Sequence, residues 1–265
     1  MRRQDLPVTL CGVLRNGSWR QRLDAEEEYE ASTPEAGWPA LSSGEIHVWF
    51  FSLQSSLEQA NRFQALLADE ELERASRYGR QHLREQFVTG RGILREILAK
   101  YTGQEPSKLQ LSYGRSGKPE LVPATSHDRA DFNMSHSEDV AVCAVGRSGR
   151  LGIDIEKALS ERHGNWRSIA ERYFQAEELH AMERLPKAER FRGFLRYWTL
   201  KEAYCKALGK GVWHIRAAPS FQSLRVGETG IREVVDSEGT NWICAPVDLP
   251  GDTMGALVAE RKAQK

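Results

Sequence analysis

Apolar residues recur at strand and helix spacings along most of the chain, and these spacings predict its elements. Near the start of the regular pattern, a β-branched and aromatic run over residues 45–53 is typical of a buried strand. Ridges at helical spacing predict helices at 56–79, 82–101, 166–182 and 188–208. Shorter apolar runs predict strands at 109–113, 118–122, 131–137, 140–145, 151–157, 220–225, 231–235, 241–247 and 253–259.

Each half of the chain therefore has helices and several short strands, although no repeat is visible in the sequence. This order predicts an α+β fold with helices packed on a small, mostly antiparallel sheet in each half. Residues 1–44 lack such a pattern, since an acidic run at 24–30 precedes a segment rich in Ser, Pro and Gly. We expect residues 1–44 to be an N-terminal extension that is partly disordered.

Charge and composition narrow the function classes. The 265 residues include 37 Lys+Arg and 37 Asp+Glu, a balance that disfavours a general nucleic-acid-binding protein. No apolar run reaches the length of a membrane span, and the short apolar stretch near the N-terminus is interrupted by Pro7 and Thr9. The 4 cysteines are scattered without zinc-ligand spacing. We expect a cytoplasmic protein with free thiols, and no membrane association.

The predicted helix that ends at Gly209 carries an acid and a base on one ridge. Glu202 and Lys206 are four residues apart, and apolar side chains occupy most of the other faces of the helix. Charged groups on a mostly buried helix need a partner, a metal or a ligand. An ordinary Glu–Lys surface pair is the alternative for this spacing.

The strand at 151–157 places a second pair of acidic residues on one face. Asp154 and Glu156 alternate with two isoleucines, and adjacent carboxylates repel each other unless a cation lies between them. Together with Glu202 they predict an all-oxygen Mg²⁺ site. A half-solvated strand with Lys157 nearby is the simpler interpretation.

Several basic and polar residues are candidates for phosphate contacts. Arg91 lies between two glycines, which would let a ligand approach the backbone, and Lys118 leaves a rigid turn before a proline. Ser135 and His136 lie between two apolar strands, where hydroxyl, imidazole and backbone amides make a phosphate cradle. Solvated arginines, an exposed turn lysine and simple turn hydrogen bonds are the alternatives.

Four motifs in a fixed order carry a resemblance to a known family. They are Gly117-Lys-Pro119, Phe132-Asn-Met-Ser-His-Ser137, Gly152-Ile-Asp-Ile-Glu156 and Trp198-Thr-Leu-Lys-Glu-Ala…Lys206…Gly209-Lys-Gly211. In this order they resemble the Sfp-type 4′-phosphopantetheinyl transferases over about residues 45–259, with residues 1–44 outside the match.

The resemblance implies a fold of two pseudosymmetric lobes, here 45–157 and 158–265, with coenzyme A bound between them. By matching position, Asp154, Glu156 and Glu202 resemble the Mg²⁺ ligands. Lys118, Ser135, His136 and Lys206 resemble the residues that contact the coenzyme A phosphates. Arg84 and Arg91 are looser matches to such contacts, and Glu178 matches less securely a glutamate found near the metal in some members.

The implied activity is transfer of the 4′-phosphopantetheine arm of coenzyme A to a serine of an apo acyl or peptidyl carrier protein. Adenosine 3′,5′-bisphosphate is released, and Mg²⁺ is the cofactor. We expect Glu202 and Lys206 to be catalytic, with Glu202 both a metal ligand and the base, in a monomer that binds no nucleic acid. The alternatives are a catalytically silent carrier-binding or coenzyme A-binding module and a Mg²⁺-dependent nuclease.

Overall fold

A computed structural model describes most of the chain. The described residues are 8–15, 18–21, 41–42, 44–114, 116–122, 130–147, 149–158, 164–222, 231–250 and 252–261. No helix among these residues is long and apolar enough to cross a membrane.

Up to residue 157, the described residues form three helices and eight strands. The helices are α1 (Leu57–Gln64), α2 (Asp69–Ser76) and α3 (Gln81–Thr102), followed by a short 3₁₀ turn at Pro106–Lys108. The strands are β1 (Val8–Arg15), β2 (Ser18–Gln21), β3 (Glu45–Ser52), β4 (Leu111–Tyr113), β5 (Pro119–Leu121), β6 (Asp131–Ser137), β7 (Val140–Gly146) and β8 (Leu151–Lys157).

After residue 157, the part of the chain that the structure describes forms three helices and three strands. The helices are α4 (Trp166–Tyr173), α5 (Ala176–Glu183) and α6 (Arg190–Ala207), with 3₁₀ turns at Lys187–Glu189 and Val212–Ala217. The strands are β9 (Arg232–Val235), β10 (Asn241–Asp248) and β11 (Thr253–Glu260). The strand predicted at 220–225 is absent over 220–222, and residues 223–225 lie outside the described residues.

The strands form antiparallel sheets, as the sequence predicts. A five-stranded sheet has the order β2-β1-β3-β7-β6, and a four-stranded sheet has the order β8-β11-β10-β9. The predicted hairpin is the two-stranded pair β4-β5. An apolar cluster that includes Val48, Val142, Ile153 and Leu257 joins the two larger sheets. The fold is therefore α+β, with helices and small antiparallel sheets.

Two strands come from the segment that the sequence analysis treats as an extension. β1 pairs with β3 from Val8↔Phe51 to Arg15↔Glu45, and β2 pairs with β1. Regular structure therefore begins before residue 45, because the edge of β3 provides main-chain partners for an added strand. The regular apolar pattern of the sequence begins only at residue 45, so it does not reveal these two strands.

Two of the predicted long helices are each divided into two. The segment 56–79 contains α1 and α2, and the segment 166–182 contains α4 and α5. The second helix of each pair begins where a glutamate turns back to cap it: Glu71 accepts a hydrogen bond from the N–H of Ala68, and Glu178 accepts one from the N–H of Gln175.

Candidate active site

A glycine in β8 lets the helix α6 pack directly on this strand. A β-carbon at Gly152 would overlap the backbone of Ala203 and Ala207, so only glycine allows this close approach. β8 carries Asp154, and α6 carries Glu202 and Lys206. The close packing of β8 and α6 therefore brings the acidic side chains of the strand near Glu202 and Lys206 of the helix.

Asp154, Ser135 and Lys206 are joined by short hydrogen bonds. The Nζ atom of Lys206 donates to Asp154 Oδ1 at 2.6 Å and to Ser135 Oγ at 2.8 Å. Ser135 Oγ in turn donates to the same Oδ1 at 2.8 Å. The three predicted site residues, from three different elements, thus meet at one carboxylate oxygen.

Glu202 interacts electrostatically with the other carboxylates of the site. Burial, the charge of Asp154 and the charge of Glu156 raise the pKa of Glu202 to about 8, although Lys206 opposes the shift. Burial alone would lower the pKa of Lys206, but the charges of Asp154 and Glu202 outweigh it and raise this pKa. The site holds more negative charge than one lysine neutralises.

The residues of this site fit a divalent cation. Asp154 Oδ2 is buried and has no hydrogen-bond partner among the described residues, and an unpaired carboxylate oxygen in such a place suits a metal. Asp154, Glu156 and Glu202 supply only oxygen atoms, which Mg²⁺ prefers. The described residues nevertheless contain no group of three His, Cys, Asp or Glu side chains already close enough to bind an ion together.

Lys118 lies in the wall of a cavity at this site, and its ammonium group binds backbone carbonyl groups. Its Nζ atom donates to the carbonyl oxygen of Leu151 at 3.0 Å and to that of Lys206 at 2.9 Å. Burial lowers the pKa of Lys118. In this arrangement the lysine joins the turn before β5 to the start of β8 and the end of α6. Its predicted contact with coenzyme A stays a prediction.

Two adjoining cavities lie beside these residues. The first, which we call the carboxylate cavity, has a volume of about 260 Å³ and is lined by Glu202, Lys206 and Val212, among others. The second, the arginine cavity, has about 240 Å³ and is lined by Arg91 and His136, among others. Both include Gly117, Pro119 and Met134 in their walls, so the two cavities are neighbours, and we call the pair the groove.

Arg91 is buried in the wall of the arginine cavity. Its Nε atom lies 3.3 Å from Glu71 Oε1, while its Nη1 atom is buried and has no hydrogen-bond partner among the described residues. Its guanidinium carbon lies 5.4 Å from the centre of the Phe87 ring and 5.9 Å from that of Tyr113. Neither aromatic residue stands out in the sequence as a site residue, although both lie close in sequence to candidate site residues.

The two glycines beside Arg91 serve packing within the protein. A β-carbon at Gly92 would overlap the side chain of Phe63, and one at Gly90 would come 2.9 Å from Leu53 Cδ2. The expectation that both glycines let a ligand approach the backbone is therefore wrong for Gly92, because the side chain of Phe63 occupies the place beside it.

The two remaining candidates lie apart from the groove. Arg84 is exposed on α3, donates to the carbonyl oxygen of Tyr78 at 3.4 Å, and does not line either cavity. Glu178 is fully buried, where it lies 3.0 Å from Lys201 Nζ and accepts the N–H of Phe221. Glu178 therefore has structural partners that account for its charge without a metal.

Comparisons with known proteins cover both halves of the chain. A family model described as 4′-phosphopantetheinyl transferase superfamily matches residues 150–247. A second, described as 4′-phosphopantetheinyl transferase, N-terminal, matches residues 53–148. The two matches include the strands and helices that carry the groove.

Curated relatives agree with the family models. The chain is 38% identical over 172 residues to the 4′-phosphopantetheinyl transferase HetI of Nostoc sp., a match that covers 65% of this chain and 72% of the relative. It is 29% identical over 204 residues to the 4′-phosphopantetheinyl transferase Sfp of Bacillus subtilis, covering 77% and 87%. Glu202 and Lys206 of the motifs line the carboxylate cavity, and Asp154 binds Lys206. Together with this geometry, the matches show that the chain belongs to the 4′-phosphopantetheinyl transferase family.

Proposed function

We propose that the protein transfers the 4′-phosphopantetheine group of coenzyme A to a serine of an apo acyl or peptidyl carrier protein, in a reaction that depends on Mg²⁺. The serine oxygen forms a bond to the β-phosphorus of coenzyme A as the bond from that phosphorus to the leaving group breaks. Adenosine 3′,5′-bisphosphate leaves, and the proton of the serine passes to Glu202.

The observation that carries this proposal is the environment of Asp154. One of its oxygens accepts hydrogen bonds from Lys206 and Ser135, and the other is buried without a partner among the described residues. The charge of this carboxylate helps to raise the pKa of Glu202, and such a concentration of acidic groups suits a centre that holds a cation against an anionic substrate. Asp154, Glu156 and Glu202 are the residues that would hold Mg²⁺.

Bound Mg²⁺ would polarise the pyrophosphate and neutralise the charge that develops on it. The chain's own groups orient the reactants. Lys206 presents an ammonium group in the wall of the carboxylate cavity, where it stabilises negative charge on the phosphate. Glu202 lines the same cavity and acts as the base towards the serine hydroxyl.

Coenzyme A would occupy the groove formed by the two cavities. Arg91 and His136 line the arginine cavity, where they would contact phosphate groups of the nucleotide end. Phe87 and Tyr113 add aromatic surface near Arg91. The pantetheine end would then point towards Glu202 in the adjoining carboxylate cavity.

We also propose that residues 45–157 and 158–265 form two pseudosymmetric lobes, with β8 at the end of the first range pairing in the sheet of the second. Each contains two short helices and then a long one, and each second helix is capped by a glutamate. Glu71 also binds Arg95 of α3 at 2.7 Å, and Glu178 lies 3.0 Å from Lys201 of α6. A buried glutamate that caps a short helix and pairs with a cation of the long helix thus occurs once in each proposed lobe.

The carrier protein would approach beside the carboxylate cavity. Trp213 is 77% exposed and Val212 is 43% exposed, and Val212 also lines this cavity. Lys210 precedes these two residues in the sequence and Arg216 follows them, and both basic residues are exposed. An exposed tryptophan next to basic residues at the entrance of the site favours a partner with apolar and acidic surface.

The test of the proposed function combines purified protein, Mg²⁺, coenzyme A and an apo carrier protein, followed by mass spectrometry of the carrier. We expect the carrier to gain the mass of one phosphopantetheine group, and a chelator should prevent the gain. Glu202→Gln and Lys206→Ala should each lower turnover by at least about 100-fold. The exposed residues Glu177 and Lys187 provide matched controls, since Glu177→Gln and Lys187→Ala should retain turnover.

Two other outcomes would favour the alternative functions. Binding of coenzyme A without any change in the mass of several different apo carriers would favour a silent binding module. Mg²⁺-dependent cleavage of a plasmid, lost in Glu202→Gln, would favour a nuclease.

A further inference from the structure

Three polar side chains of β6 bind the backbone of β8. Asn133 Oδ1 accepts the N–H of Ile153 at 2.8 Å. Ser135 Oγ accepts the N–H of Ile155 at 3.4 Å, and Ser137 Oγ accepts the N–H of Lys157 at 3.1 Å. Acceptors and donors both advance by two residues, so the two strands run parallel and every second N–H of this part of β8 is bound by a side chain.

This row of contacts, which we call the β6–β8 ladder, joins the two large sheets. β6 is the last strand of the five-stranded sheet, and β8 is the first strand of the four-stranded sheet. The other edge of β8 pairs with β11 through the main chain. The side chains of β6 thus take the place of a neighbouring strand for these three N–H groups.

Two members of the ladder also bind the carboxylates of β8. Ser135 Oγ donates to Asp154 Oδ1, and Ser137 Oγ donates to Glu156 Oε2 at 3.0 Å. Each serine therefore fixes both the backbone of β8 and the acidic side chain that precedes the bound N–H. Ser137 is 3% exposed, so water does not readily replace its hydrogen bonds.

The ladder sets which side chains of β8 face the groove. A shift of one residue in β8 would bring isoleucines to the positions of Asp154 and Glu156, because strand side chains alternate between the two faces. A serine that holds a carboxylate also limits the directions in which this carboxylate can point. Both effects matter for binding a metal, whose affinity depends on groups that orient its ligands.

We propose that Ser137 is a positioning residue for Glu156, and that the β6–β8 ladder sets the register of the metal-binding carboxylates. This inference rests on the proposed function, because it assigns Glu156 to a divalent cation. Ser137 does not need to touch coenzyme A or the metal. Its removal should therefore weaken metal binding and leave the affinity for coenzyme A unchanged.

The experiment measures Mn²⁺ binding by electron paramagnetic resonance, with full-length protein saturated with coenzyme A. Ser137→Ala should weaken Mn²⁺ binding by about 10-fold or more, as loss of groups that orient metal ligands does elsewhere. The KM for coenzyme A, measured at saturating metal, should stay within about twofold of the original value. Ser137→Thr keeps the hydroxyl and should restore most of the Mn²⁺ affinity.

Ser112→Ala, on the exposed strand β4, is the matched control and should bind Mn²⁺ as the unaltered protein does. If Ser137→Ala does not fold, Ser137→Cys, similar in volume but a weak donor, gives the same comparison. Equal Mn²⁺ affinity of the unaltered protein and the Ser137 variant would overturn the positioning role alone. An unaltered protein that binds no Mn²⁺ would overturn the metal site and this inference together.

Discussion

The backbone of Gly152 lies directly against the carbonyl group of Ala203, with no room for a β-carbon between strand β8 and helix α6. This contact brings Asp154 on the strand close to Lys206 on the helix, whose charged atoms are 2.6 Å apart. The spacing of the site therefore depends on a residue that has no functional group of its own.

Gly152→Ala should lower stability by about 1–3 kcal/mol, since the added methyl group forces α6 away from β8. Turnover should fall more than this loss of stability explains, because Glu202 and Lys206 move with the helix. Thermal unfolding and turnover at a temperature where the variant is folded measure the two effects. Gly79→Ala is the control, since nothing lies within 4 Å of a β-carbon there. Equal behaviour of the two variants would contradict the packing argument.

The pKa of Glu202 makes the stability of the metal-free protein depend on pH. Burial and the neighbouring carboxylates raise this pKa from 4.5 to about 8, so between these values the folded chain holds a proton that the unfolded chain has released. The folded protein is therefore most stable, as far as Glu202 is concerned, below about pH 4.5, where this residue is protonated in both states. That stability is lost as the pH rises through about 8.

Glu202→Gln keeps the shape of the residue and cannot ionise. In the presence of a chelator, the Tm of the variant should therefore exceed that of the unaltered protein at pH 9, and the difference should shrink towards pH 5. Scanning calorimetry across this range measures the difference. A difference that does not change with pH would contradict the raised pKa of Glu202.

Arg91 and Arg84 lie on the same helix, but only Arg91 lines the arginine cavity. Arg91→Ala should raise the KM for coenzyme A by about 10-fold or more, because it removes a charged phosphate contact. Arg84→Ala should change this KM much less, because Arg84 is exposed and outside the groove. Steady-state kinetics with coenzyme A as the varied substrate compares the two. A larger effect at Arg84 would mean that the nucleotide lies elsewhere.

Trp213→Ala should raise the KM for the carrier protein while the KM for coenzyme A stays unchanged, since Trp213 is exposed beside the carboxylate cavity. Leu57→Ala is the matched control, because Leu57 is 80% exposed on α1 and lines neither cavity. Kinetics with each substrate varied in turn separates the two constants. An unchanged KM for the carrier would exclude Trp213 from the docking surface.

Much of the fold follows from local patterns in the sequence. The alternation of Ile153 and Ile155 with Asp154 and Glu156 correctly predicts β8, since one face of this strand is apolar and the other is polar. The spacing of Glu202 and Lys206 correctly predicts that both lie on one helix, α6. These features depend only on neighbours in the sequence.

The features that the sequence does not reveal have a different physical origin. Glu71 and Glu178 each cap the start of a new short helix. The apolar ridges around them continue at helical spacing, so the periodicity of the sequence shows no break. The partners of Lys118 are backbone carbonyl groups of distant elements, which no side-chain pattern reveals. The role of Ser137 likewise depends on β6 lying beside β8, a relationship between two sheets.

The central claim is that Asp154, Glu156 and Glu202 hold one divalent cation. Anomalous diffraction from crystals grown with Mn²⁺ and coenzyme A tests it most directly. We expect a single strong peak in the groove, with a carboxylate oxygen of each of the three residues at ligating distance. A peak bound by other residues would contradict the claim. So would bound coenzyme A with Asp154 still paired only with Lys206 and Ser135.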